Sequence, residues 1–246
     1  MSLSTDESAA VRALVFDVFG TVVHWRGSIV REGEALSAAK GFRVDWPAFA
    51  DAWRAGYQPA MQRAMEAAAL DPAAWQKLDA LHRGILDSLL VPFGLERLSE
   101  PERERFNLVW HRLDPWPDAV PGLTRLKARW PIATLSNGNV SLLVDMARHA
   151  GLPWDCVLSA ELFRKYKPDP GVYRGAADLL GVAPGELLMV AAHPSDLAAA
   201  ERAGLKTAYV DRPLERGPGG PRESTAGHRF DWVASDFLDL AAKLGA

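Results

Sequence analysis

The chain has 246 residues, 48% hydrophobic and 24% charged, with 28 Lys+Arg against 31 Asp+Glu and a formal net charge of -3. That composition excludes a disordered, collagenous or membrane-spanning chain. It also excludes the basic field that would hold a nucleic-acid backbone or an anionic membrane, so the expected partner is a small molecule.

Residues 1–10 are small and polar without an apolar leader core, and no run of about 18 apolar residues occurs anywhere, which predicts a soluble cytoplasmic protein. Residues 11–19 are apolar, β-branched and aromatic and stop at Gly20-Thr21, as a buried strand should. From Trp25 to about Pro121 the pattern changes. Trp46, Phe49, Trp53, Tyr57, Met61 and Met65 recur at three- and four-residue steps, and 78–90 and 102–113 continue the helical period. Most of these aromatics are expected simply to pack a core. Short strands then recur at 131–135, 156–158, 187–192 and 207–210, alternating with helical stretches at 140–150, 171–180 and 196–203, the last stopped by Gly204. The single cysteine, Cys156, permits no intrachain disulfide and is expected to be buried filler. Residues 212–227, rich in Gly and Pro, are a loop between the last strands. The alternation predicts an α/β fold, a Rossmann-like parallel sheet core built from 1–22 and 120–246, with a helical cap domain inserted at 23–119.

Open α/β sheets bind ligands beyond the carboxyl ends of their strands. Four polar clusters fall there: Asp17 to Thr21, Ser136-Asn137, Lys165 to Asp169, and His193 to Asp196. Each alone reads as readily as a turn or helix cap. Together, as Asp17-Val18-Phe19-Gly20-Thr21, Leu135-Ser136-Asn137-Gly138, Lys167-Pro168-Asp169 and a last motif ending at Asp196, they resemble the four ordered motifs of the haloacid dehalogenase superfamily, in the subgroup whose cap follows motif one.

Most of that superfamily are magnesium phosphatases with a second Asp two residues after the nucleophile, which protonates the leaving alkoxide. Here that position is Phe19, which has no proton to give, and the missing general acid is worth about 10² to 10⁴ in rate. The last motif offers one carboxylate, Asp196, and a hard cation prefers several oxygen ligands. A halide leaves as a stable anion without either device. The sequence is accordingly most similar to the 2-haloacid dehalogenases. The resemblance implies that Asp17 displaces halide from C2 of a short 2-haloalkanoate with inversion, and that water then hydrolyses the aspartyl ester, without metal or cofactor.

The resemblance also implies the remaining roles. Lys167 neutralises the carboxylates. Ser136, with donors such as the Thr21 hydroxyl, binds the substrate carboxylate, and Asn137 donates toward the halide. Arg54, in the pair Trp53-Arg54, stabilises departing halide, with Arg26, Arg31 and Arg63 as competitors. Phe19 keeps an aromatic at the substrate, Tyr173 helps to hold the carboxylate cluster, and Asp196 activates or orients the hydrolytic water. His193 stands where relatives have an Asn, and it either bonds the water, acts as the base or fills space. Arg54, Asn137 and His193 offer donors for a small halide, so fluoride stays open beside chloride and bromide. A phosphonatase would need a cap lysine, for which Lys40 and Lys77 are the candidates; a non-catalytic anion binder would not need Asp17. Pairing of two copies through cap helices is an expectation from the family alone.

Overall fold

The computed structural model describes residues 10–246; the segment 1–9, most of the polar start, lies outside the described residues. Six strands, β1 (Ala13–Phe16), β2 (Ile132–Ser136), β3 (Cys156–Ser159), β4 (Leu187–Ala191), β5 (Lys206–Val210) and β6 (Trp232–Ala234), form one sheet in the order β3-β2-β1-β4-β5-β6. Every pairing is parallel, with Val15 opposite Ala133 on one side and Met189 on the other. Helices cover both faces, which is why β1, β2 and β4 are buried at every position and read as unbroken apolar runs.

Four helices separate β1 from the core's next helix: α1 (Trp25–Lys40), α2 (Trp46–Leu70), α3 (Leu78–Leu89) and α4 (Glu100–Asn107). The aromatic stripe of α2 makes their core. Phe49 and Trp53 meet edge-on at 5.4 Å, Trp53 and Trp110 at 5.5 Å, and the Trp53 indole donates to the His82 carbonyl at 2.9 Å. The insertion docks on the sheet half through α3, whose Asp79 accepts from Asn139 at 2.8 Å and faces the His111 ring, which in turn faces Asp145 at 2.8 Å. After α5 (Ala119–Lys127) come α6 (Val140–Ala150), α7 (Pro170–Leu180), α8 (Pro194–Arg202) and α9 (Phe237–Leu244).

Several boundaries differ from the sequence reading. The first strand ends at Phe16, not at 19, because the chain turns back at once: Val22 and Val23 donate to the Val18 carbonyl around Gly20 at φ +84°. The helix expected at 102–113 starts at Glu100 under a Ser99/Glu102 capping box and tightens into a 3-10 turn at Leu108–His111. Pro121 and Gly122 lie inside α5, where a Cβ on Gly122 would come within 2.4 Å of Phe237. Cys156 is exposed, not buried filler, since it opens β3 and β3 is an edge strand with little packed over its first residue.

Candidate active site

The chain leaves β1 toward one neighbour and β4 toward the other, so their carboxyl ends splay and leave a crevice. Asp17 follows β1 directly, and its backbone N–H donates to Val190 at 3.0 Å. Lys167 precedes α7, whose N-cap is Asp169; its peptide bond to Pro168 is cis. His193 caps α8 and Asp196 sits in its first turn. Arg54 and Tyr57 descend from α2.

These residues converge on a cavity of about 440 Å³ whose wall includes Asp17, Phe19, Arg54, Asn137, Lys167 and His193. The Lys167 ammonium lies 3.0 Å from Asp17 Oδ1 and 2.6 Å from Asp196 Oδ2. The Tyr173 hydroxyl donates to Asp196 Oδ1 at 2.6 Å. Thr21 donates to Asp17 Oδ2 at 2.7 Å, its proton directed there because its oxygen already accepts from the Ala192 N–H at 2.9 Å. His193 Nδ1 reaches the same Oδ2 at 3.0 Å.

Burial alone would push the Asp17 carboxyl up, but the Lys167 ammonium, His193 and Thr21 outweigh it and hold the carboxyl well below the usual range. Burial, reinforced by the charge of Asp17, pushes Asp196 up instead, against Lys167 and Tyr173. Two carboxylates sharing one lysine are thus split into an ionised group and a more basic partner. Burial would weaken the charge on Lys167, but the two aspartates raise its pKa, so it stays an ammonium.

Not every expected residue reaches the cavity. Ser136 is fully buried, lies outside the cavity wall, and its hydroxyl accepts from the Gly138 N–H at 3.2 Å, a turn-capping contact. Thr21, expected to face the substrate carboxylate, has its hydroxyl engaged by Asp17. Asn137 lines the cavity, but its oxygen accepts from the Lys167 N–H at 2.7 Å and so fixes that backbone. Arg54 stacks over Tyr57 at 4.2 Å, with Nε and Nη1 buried and without a protein acceptor. Its competitors are elsewhere: Arg26 pairs with Asp51 and Arg31 with Asp114. Lys40 pairs with Glu102 and Lys77 with Glu161 at 2.7 Å, and neither lines the cavity.

Sequence reasoning missed Glu215, a carboxylate outside the four motifs that meets His193 and not Asp196. This residue of the 212–227 loop places its carboxylate 3.1 and 3.2 Å from His193 Nε2 and accepts from the Trp25 indole at 2.9 Å. A Cβ at position 20 would lie 2.4 Å from Glu215 Oε1, so the glycine of the first motif also makes room for this carboxylate. Burial acts to lower the His193 pKa, yet Asp17 and Glu215 lift it to about 10. Glu215, raised by burial but held by His193, Trp25 and Arg54, falls to about 2.

A family model described as haloacid dehalogenase-like hydrolase matches residues 11–204. (S)-2-haloacid dehalogenase 4A of Burkholderia cepacia is 30% identical over 210 residues, covering 82% of this chain and 84% of the relative. The crystal structure of an L-2-haloacid dehalogenase is 48% identical with a TM-score of 0.90, over 96% of this chain and 99% of that one. A defluorinating L-2-haloacid dehalogenase is 45% identical with a TM-score of 0.89, over 96% of each chain. The Xanthobacter autotrophicus L-2-haloacid dehalogenase with chloropropionic acid covalently bound is 26% identical with a TM-score of 0.79, over 96% of this chain and 99% of that one.

Proposed function

The chain belongs to the haloacid dehalogenase-like hydrolases, and from that premise we propose that it hydrolyses short 2-haloalkanoic acids to 2-hydroxyalkanoic acids and halide. Asp17 attacks C2 from the side opposite the halogen, the halide leaves as an anion, and configuration inverts. Arg54 turns its unspent donors toward that departing charge, which grows in the transition state and is therefore better held there than in the ground state. The resulting Asp17 ester is hydrolysed by a water whose proton passes to Asp196, the more basic of the two carboxylates.

The observation that carries this reading is the pairing of an ionised Asp17 with Phe19 two residues on: a nucleophile is present, and no proton donor for a phosphoester's leaving alkoxide stands at that position. Lys167 supplies the positive charge between the carboxylates, so the chemistry needs no added cation. The cap lysines a phosphonatase would use are spent in surface ion pairs.

The test is halide release from chloroacetate, both 2-chloropropionate enantiomers and fluoroacetate in the presence of EDTA. Release that survives chelation and disappears in Asp17→Asn is the expected result; phosphate release restored by magnesium, with no halide, would return the chain to the phosphatases. We further propose a division at 1–22 and 120–246 against 23–119, because all six strands lie in the first part while the second is helical and supplies Arg54 and Tyr57 to the cavity wall. No helix among the described residues is long and apolar enough to cross a membrane, and a cytoplasmic location suits a chain whose one cysteine forms no intrachain disulfide. Self-association through the insertion's helices is the assembly that sedimentation velocity would check.

A further inference from the structure

The two oxygens of Asp17 are not equivalent. Oδ2 accepts from both Thr21 and His193, whereas Oδ1 accepts from Lys167 alone. A carboxylate oxygen has two in-plane lone pairs. Those of Oδ2 are both engaged, and one on Oδ1 is free to attack C2. Alkylation at Oδ1 leaves Oδ2 as the ester carbonyl oxygen, with Thr21 at 2.7 Å and His193 Nδ1 at 3.0 Å already pointing at it.

The His193 ring is flanked on both sides by groups that only accept. Nδ1 faces Asp17 Oδ2, and Nε2 faces both oxygens of Glu215 at 3.1 and 3.2 Å. Both ring nitrogens must therefore donate, which makes the ring an imidazolium. The other charges around the ring are Lys167 and Asp196 beyond Asp17, Arg54 beside Glu215, and Arg202, Arg212, Arg216, Arg222 and Glu223 on the two pocket walls that His193 shares.

Resting on the dehalogenase reading above, we infer that His193 is a catalytic residue of the second half-reaction as a cationic oxyanion donor to Asp17 Oδ2, with Thr21 beside it, and that Glu215 is the positioning residue that keeps it charged. Water adds to the Asp17 Cγ, its proton goes to Asp196, and the carbonyl π pair moves onto Oδ2 against the imidazolium. The pair then re-forms C=O while the Cγ–Oδ1 bond breaks. Oδ1 leaves as the product's hydroxyl oxygen and takes a proton from Lys167, which touches both Oδ1 and Asp196 and regains the proton Asp196 holds. Asp17 emerges carrying the water oxygen as a carboxylic acid and loses its proton to solvent, so one proton and one halide are released per turnover.

Ester formation removes one of the two negative charges facing His193, so its pKa falls below the resting value of about 10 during hydrolysis but stays supported by Glu215. The hydrolysis rate then falls as pH rises through that value. Glu215→Gln removes the second charge and moves the fall to lower pH.

Rapid-quench kinetics on the whole chain with 2-chloropropionate would follow halide, hydroxyacid and the alkylated protein by intact mass. Glu215→Gln is expected to keep the first-turnover halide burst, slow hydrolysis about tenfold or more, accumulate alkylated protein, and shift the falling limb downward. His193→Ala, as a second variant, should slow hydrolysis by about 10² to 10³, the effect of losing an oxyanion donor. A base role for His193 gives the opposite sign, hydrolysis rising with pH, and that result would overturn the inference, as would an unmoved limb in Glu215→Gln or loss of the burst alone. No halide at all from the unsubstituted protein would overturn the dehalogenase reading and this inference with it.

Discussion

Arg54 holds a buried guanidinium with Nε and Nη1 lacking protein acceptors, at a depth where unpaired donors are costly. Such donors are accounted for when an anion completes them. Arg54→Lys keeps the charge but loses the planar fork. It should lower kcat by about 10² to 10³ while moving KM little, with the larger loss on chloride than on bromide as leaving group; steady-state kinetics on the two halides checks it. At this scale the sequence is readable where chemistry fixes residue type and order. Asp17, Lys167, Asp196 and Tyr173, spread from 17 to 196, were brought together as the motifs imply. Glu215 was not readable. It lies between Leu214 and Arg216 in a segment without periodicity, and its partners Trp25 and His193 lie 190 and 22 residues away, so nothing local marks it. The available signal was indirect: an imidazole at a strand end beside a nucleophile demands a counter-charge on its far nitrogen.

The loop at 212–227 works as an element because its first residue is anchored. Arg212 grips Asp118, at the start of α5, with two bonds of 2.7 and 2.8 Å, donates to the Thr21 carbonyl at 2.8 Å, and lies over the Phe237 ring at 4.7 Å. Three segments that carry or border site residues are thereby tied at one guanidinium. Asp118→Asn leaves that buried charge without its partner, at a cost of about 3–5 kcal/mol, and loosens the mount of Glu215. Burial raises the Asp118 carboxyl, but Arg212 and the Phe237 N–H bring it below its ordinary 3.8. A depressed carboxyl contributes stability above its unfolded pKa and loses it as pH falls through the folded value. Thermal melts should therefore show the unsubstituted chain losing stability below about pH 4, with the gap to Asp118→Asn closing over the same range; a gap independent of pH would contradict this. β1, β2, β4 and β5 were legible because burial on both faces leaves apolar runs, whereas β6, three residues long with Val233 exposed, leaves no such run and was not placed from sequence. The interior of a Gly/Pro-rich loop carries no periodicity, so its ordered path was not legible either.

For the molecule as a whole, the helical insertion and the sheet each hold part of the site. The sheet half brings Asp17, Lys167, His193 and Asp196 to the ends of parallel strands, and α2 brings Arg54 and Tyr57 down over them. The aromatic stripe on α2 marked an inserted helical layer, and the alternation after it marked the sheet. What periodicity did not yield was the seam, where His111 spans Asp79 of α3 and Asp145 of α6, because those residues read as ordinary surface polars until the two halves meet. In the dehalogenation proposed above, Asp17 forms an ester whose acyl carbon, not the substrate carbon, is attacked by water. A single turnover with enzyme in excess in heavy-oxygen water tests it most directly. The label should enter the peptide containing Asp17 while the first hydroxyacid formed stays unlabelled; label in that first product, with none in the protein, would mean direct attack of water on the substrate and would contradict the claim.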